Sequence, residues 1–155
     1  DVVELARQTL TRPWGVRFIE LMPFGDGEEA QTARDGVVPS AELMKRITAT
    51  LGELEPVAAS HPSDESRNFR LPDAVGTVGF ISPVSDPFCS SCSRVRLSAE
   101  GKLLLCLLRD DEADLRSLIR SGAGVVQIQE ALEAAILLKP VGLADMRAAV
   151  DELLE

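Results

Sequence analysis

The chain's only three cysteines lie in one stretch, DPFCSSCSRVRLSAEGKLLLC, from Asp86 to Cys106. Their spacing is C-x2-C-x13-C, and Arg94 and Arg96 stand between the second and third. Three thiols are one too many for a disulfide and one too few for an ordinary tetrahedral metal site. C-x2-C serves zinc, iron–sulfur and thiol redox sites alike, and a third cysteine at the end of a hairpin narrows the choice. Structural zinc takes four ligands, and the single histidine, His61, is a candidate fourth across a long loop. A [4Fe–4S] cluster usually takes four cysteines. Held by Cys89, Cys92 and Cys106 alone, it would keep one iron open to a substrate atom. A hairpin without metal is the third reading.

Charge points to the kind of ligand. Between Cys89 and Arg109, Arg94, Arg96, Lys102 and Arg109 outnumber Glu100, a local +3 in a chain of net charge −9. The overall acidity argues against a nucleic-acid-binding surface. The basic island suits a discrete anionic ligand, and a solvated hairpin with ordinary surface charge is the bland alternative. Two guanidiniums beside an open iron would bind a phosphorylated substrate through paired N–H donors. The odd cysteine count, with no secretory signal and no run long enough to span a membrane, points to a reducing, cytoplasmic compartment.

The hairpin must position these groups, and its loop length sets its register. Glu-Gly is not the Asn-Gly or Asp-Gly of a two-residue type I′ turn. A three-residue loop, Ala99–Glu100–Gly101 with a left-handed glycine, fits better. Ser98 then faces Lys102, Arg96 faces Leu104 and Arg94 faces Cys106. Cys92, Arg94, Arg96 and Cys106 share one face, with Val95 and Leu97 on the core side. A two-residue loop would pair Val95 with Cys106 and turn that cysteine away.

The remaining elements follow from periodicity. The chain has 155 residues, 45% of them hydrophobic, which suits one ordinary domain or a piece of a larger one. DVVELARQTL reads as an amphipathic helix with no cap before it, entered partway, as in a fragment. VRFIELMPF reads as a strand buried on both faces, as in a parallel sheet, and GDGEEAQTARDG as a polar loop. Ser40 is the expected N-cap of a helix striped by Leu43, Met44, Ile47 and Leu51 and ended by Gly52. Residues 1–52 are thus one βα unit preceded by a helix, with further strands expected on its N-terminal side. After a boundary near 52–56, residues 53–155 change pattern. NFRLP and VGTVGFISPV are short strands, and the cysteine stretch follows. A helix then starts at Asp111 or Asp114 and ends at Gly122. A second carries Val125, Ile128, Leu132 and Ile136, and 143–154 is a third amphipathic stretch. Glu20 and Met22 lie where α/β barrels place their chemistry, although Met22 serves equally as core filler. Asp110, Asp111 and Asp114 read as helix-start charges and Trp14 as packing between helix and strand.

RFIELMPFG and FRLPDAVGTVGFISPVSDPFCSSCSRVRLSAEGKLLLCL resemble the C-terminal part of the MoaA family, the radical SAM GTP 3′,8-cyclases of molybdenum-cofactor biosynthesis. The resemblance spans about residues 1–139. It implies an α/β to α+β fold: the terminal βα unit of an incomplete (β/α) TIM-like barrel, an antiparallel β-layer with a three-cysteine site, and C-terminal helices. It implies that Cys89, Cys92 and Cys106 ligate a [4Fe–4S] cluster whose open iron contacts the base of GTP. Arg94, Arg96 and Arg17 would then be substrate-binding residues. Ser93 stands where the family's C-x-x-C-N-R-x-R-L motif has Asn. The family's C-x3-C-x2-C motif, which holds the S-adenosylmethionine-cleaving second [4Fe–4S] cluster, is absent, as is its Gly-Gly tail. The 155 residues alone are therefore expected to be inactive. The partners implied are GTP, no nucleic acid and no membrane, and the resemblance leaves room for a homodimer of the parent enzyme.

Overall fold

Side-chain alternation along the first strand decides which side of the main sheet becomes core. In β1 (Gly15–Ile19), Val16 and Phe18 are half-buried while Gly15, Arg17 and Ile19 are exposed. The structure is a computed structural model that describes residues 1–24, 28–59, 61, 64–107 and 112–139. It forms two compact units, Asp1–Ser91 and Cys92–Glu155.

The first unit is a four-stranded mixed sheet in the order β1-β4-β3-β2, with β2 at Glu55–Val57, β3 at Arg67–Arg70 and β4 at Thr77–Ile81. β1 runs parallel to β4, with Arg17 beside Gly79 and Phe18 beside Phe80, and the other pairings are antiparallel. The face of Phe18, Phe69, Val78 and Phe80 packs on α1 (Val2–Thr11) and α3 (Ser40–Leu51) through Ala6, Leu43, Met44 and Ile47. Phe18 and Phe69 flank the Phe80 ring at 5.8 Å each, one stacked and one edge-on. The opposite face carries Arg17, Gly79 and Asn68 in one cross-strand row.

The structure corrects several expectations here. α1 is capped: the Asp1 carboxylate accepts from the Val3 amide at 3.1 Å. β1 is not buried on both faces, because among the described residues it is an edge strand with helices on one side only. The polar GDGEEAQTARDG segment contains a helix, α2 (Glu28–Asp35); its glycines flank a run of good helix formers. Trp14 is half-exposed and lies under the Arg12 guanidinium at 4.4 Å. Gly52 ends α3 at φ 102° as expected. No described helix is long and apolar enough to cross a membrane.

Ser40 is not the N-cap of α3. It is the helix's first residue, after Pro39, and its amide is satisfied from outside by Glu20 Oε1 at 2.8 Å. The same buried carboxylate accepts from the amides of Val84 (3.1 Å) and Ser85 (2.9 Å) and from the Ser85 hydroxyl (2.5 Å). Ser82 Oγ donates to Ser40 Oγ at 2.7 Å alongside. Glu20 thus joins the end of β1, the start of α3 and the chain leaving β4. Burial pushes its pKa up, but the Ser85 hydroxyl and the amides of Ser85, Ser40 and Val84 outweigh that and hold it below the usual 4.5.

A depressed folded-state pKa contributes stability above the unfolded value, and that stability is lost as pH falls through the folded one. Glu20→Ala should therefore destabilise the chain by about 2–4 kcal/mol at neutral pH in urea titrations, because four donors lose a charged acceptor. The gap to wild type should narrow as pH falls below the ordinary glutamate range.

Candidate metal centre

The hairpin has the register that a three-residue loop dictates. β5 (Arg96–Leu97) and β6 (Lys102–Leu104) pair Arg96 with Leu104 and Leu97 with Leu103. Gly101 has φ 78°, its amide donates to Ser98 O at 3.0 Å, and the Ser98 amide donates to Lys102 O at 2.8 Å. The Gly101 carbonyl accepts from the amides of Leu115 and Arg116 at 3.1 and 3.0 Å, which docks the start of α4 (Leu115–Arg120) on the loop. Asp114 caps α4 through Ser117, as expected, and Gly122 follows it at φ 85°.

The ladder is short. Its two pairs stop at Arg96 and Leu104, so the expected facing of Arg94 and Cys106 lies outside it. On its other side β6 pairs with β7 (Glu112–Asp114), a three-residue strand that no periodicity announces, and Lys102 forms an ion pair with Glu112. Leu103, Leu105, Leu115 and Ala135 form the core of this second unit, against Leu132 of α5 (Val125–Leu137). Val95 and Leu97 do not join it. Leu97 is 66% exposed because α4 and α5 cover β6 and β7 and leave the β5 edge open. Arg109, Asp110, Asp111 and the 143–154 stretch lie outside the described residues.

All three cysteines are half-buried thiols. Cys89 begins a 3₁₀ turn, Cys89–Ser91, at the end of the first unit, whereas Cys92 and Cys106 belong to the second. Among the described residues no three Cys, His, Asp or Glu side chains form a metal-binding group. The donor chemistry nevertheless suits a thiolate-ligated metal at Cys92. Burial raises that thiol's pKa, but the Arg94 amide, the charges of Lys139 and Arg94 and the Arg94 side chain bring it below 9.0. Arg94 therefore acts on Cys92, from irregular chain just before β5. Lys139, which sequence reasoning missed, reaches this region from beyond the end of α5. Its Nζ donates to Leu105 O at 2.7 Å, and its place next to Pro140 at a helix end was the available signal.

The other candidates separate. Arg94 is half-buried and Arg96 exposed. Arg17 belongs to the first unit, on the helix-free sheet face, where a Cβ on Gly79 would meet its Cγ at 3.1 Å. His61 is exposed on a turn whose carbonyl accepts from the Asp64 amide. Glu20 is committed to backbone donors rather than aimed at a ligand. A shallow groove of about 270 Å³ lies beside Gly101, lined by Leu97, Glu100, Arg116, Ile119 and Arg120, and contains none of the cysteines.

A family model described as Molybdenum Cofactor Synthesis C matches residues 14–144. A GTP 3′,8-cyclase of Pelotomaculum thermopropionicum is 44% identical over 140 residues, covering 90% of this chain and 42% of that protein. GTP 3′,8-cyclases of Gloeobacter violaceus and Moorella thermoacetica are 43% and 39% identical with the same coverage. The chain thus spans 42% of the length of these relatives.

Lys139→Met should raise the Cys92 pKa, since it removes a cation that favours the thiolate. The pH profile of Cys92 alkylation by iodoacetamide, read by peptide mass spectrometry, should move to higher pH. An unmoved profile would mean that Lys139 does not act on Cys92.

Proposed function

The chain belongs to the Molybdenum Cofactor Synthesis C family, the C-terminal portion of GTP 3′,8-cyclases, and from that premise we propose that it is the substrate-holding part of such an enzyme. In this reading Cys89, Cys92 and Cys106 hold a [4Fe–4S] cluster. When bound, the cluster supplies a Lewis-acidic iron, lacking a protein ligand, to an atom of the GTP base. Arg94, Arg96 and Arg17 hold the phosphates, Arg by paired N–H donors matched to phosphate oxygens. The contribution of these residues to catalysis is positioning and electrostatics.

One observation carries the proposal: a chain matched over residues 14–144 by the Molybdenum Cofactor Synthesis C model has all three of its cysteines spaced C-x2-C-x13-C, with Arg94 and Arg96 between the second and third. Arg94 has two parts in it. Its amide, charge and side chain favour the Cys92 thiolate, and a guanidinium is the group that pairs with phosphate oxygens. The hairpin register supports the second arginine, because it puts Arg96 opposite Leu104, on the face away from buried Leu103 and Leu105.

The radical step belongs elsewhere. These 155 residues contain three cysteines and no C-x3-C-x2-C motif. S-Adenosylmethionine and the second [4Fe–4S] cluster are therefore assigned to a part of the enzyme outside this sequence, and the 155 residues alone should not convert GTP. The setting we propose is the cytoplasm, where thiols stay reduced. With net charge −9, nucleic acid is not a proposed partner.

Anaerobic reconstitution with iron and sulfide should load about four irons, and Cys106→Ala should abolish stable loading, because two thiolates do not retain a cluster. One zinc and no sulfide in the purified chain would overturn the reading in favour of a structural zinc module. Arg96→Ala should keep the iron yet weaken GTP binding by roughly 1.5–3 kcal/mol, less at high salt. Guanosine, which lacks phosphates, should be nearly indifferent to that change. Equal losses for both ligands would mean that Arg96 serves the fold or the base pocket.

A further inference from the structure

Among the described residues Glu20 is a buried carboxylate, 4% exposed, to which the proposed function gives no role. Its ligation is asymmetric in a telling way. Of its four donors, one is the first amide of α3, and the other three belong to Val84 and Ser85. Those residues start the segment that leaves β4 and reaches Cys89 four residues later.

That segment is held at several further points, all within the first unit. The Asp86 amide donates to Ser82 O at 3.3 Å. The Asp86 carboxylate pairs with Arg67 of β3 at 2.5 Å. Ser82 Oγ is bound to Ser40 Oγ. Pro83 and Pro87 fix φ on either side of the Glu20 contact. The Ser91 amide and hydroxyl both donate to Phe88 O at 3.2 Å, closing the turn that contains Cys89. The Arg67–Asp86 pair is exposed and contributes little by itself. Glu20 is different, because a buried carboxylate left without its donors is strongly unfavourable. The segment is therefore tied down wherever Glu20 is ionised and buried.

We propose that Glu20 is a positioning residue for Cys89: by binding the amides of Val84 and Ser85 it fixes the segment that presents this cysteine. The inference rests on reading Cys89 as a cluster ligand, and it gives the β1 strand a part in assembling the metal centre. No electron or proton is exchanged with Glu20. Its contribution is to lower the number of conformations that Cys89 samples before metal arrives.

The test uses the full chain, metal-free and anaerobic, with iodoacetamide alkylation followed separately at Cys89 and Cys106 by peptide mass spectrometry. In Glu20→Gln the amide presents N–H groups to donors, so the segment should loosen. The Cys89 rate should change by at least about threefold while the Cys106 rate stays near wild type, as for a local opening. Ser85→Ala, which removes one donor and keeps the carboxylate, should move Cys89 in the same direction by less, and Ser85→Thr should restore it. If Glu20→Gln loses its far-UV circular dichroism, the two Ser85 variants decide by the same criteria. An unchanged Cys89 rate, or equal changes at both cysteines, overturns the inference. Iron loading of wild type is measured in parallel. A wild type that takes up no iron sinks the cluster reading, while the thiol rates still judge the role of Glu20.

Discussion

A single buried carboxylate organises the first unit. The Glu20 side chain satisfies the open N-terminus of α3 and two amides of the chain leaving β4, so three elements far apart in sequence share one acceptor. Helix starts need acceptors for their first amides, and most find one in a local cap residue. Here α3 begins after Pro39 without a side-chain cap, and the acceptor comes from the end of β1. The charge gives the arrangement its strength and makes it specific. Donors from the start of α3 and from the chain leaving β4 outweigh burial and hold the carboxylate below its usual pKa.

The second unit depends on a backbone constraint instead. Gly101 sits at φ 78°, which sets the three-residue loop and so the pairing of Arg96 with Leu104. Its carbonyl also receives the start of α4, and a Cβ on Gly101 would approach that of Arg116 to 2.7 Å. Loop, ladder and helix are thereby set by one residue that lacks a side chain. The electrostatics of Cys92 are built on this frame by Arg94 and Lys139, one just before the hairpin and one past the end of the last described helix.

What the sequence revealed was local. Gly52, Gly101, Gly122 and Asp114 act where their types predict, because a left-handed residue or a capping carboxylate needs only its neighbours. The stripe Leu43, Met44 and Ile47 was legible for the same reason: helical period alone defines a face. Failures came where partners are distant or elements short. Three-residue strands such as β2 and β7 carry no periodicity to read. The apolar run of β1 suggested burial on both sides, but among the described residues α1 and α3 cover one face only, and which layers pack on a strand leaves no signal in the strand itself. Ser40 looked like a cap, yet its amide is bound from 20 residues away. Glu20 looked like a barrel-end catalytic group because nothing in its surroundings along the chain announces the Val84 and Ser85 amides. In the candidate site, cysteine spacing and the two arginines were legible, whereas Lys139 was not, since its effect on Cys92 arises only after α5 folds back.

The central claim is that three cysteines of this chain carry a cluster with one iron reserved for the base of GTP. Mössbauer spectroscopy of the anaerobically reconstituted chain, with and without GTP, tests it most directly. The account predicts a [4Fe–4S] spectrum in which one iron site is distinguishable from the other three, and GTP shifts that site alone. A chain that assembles no cluster, or a cluster whose irons all ignore GTP, would contradict it.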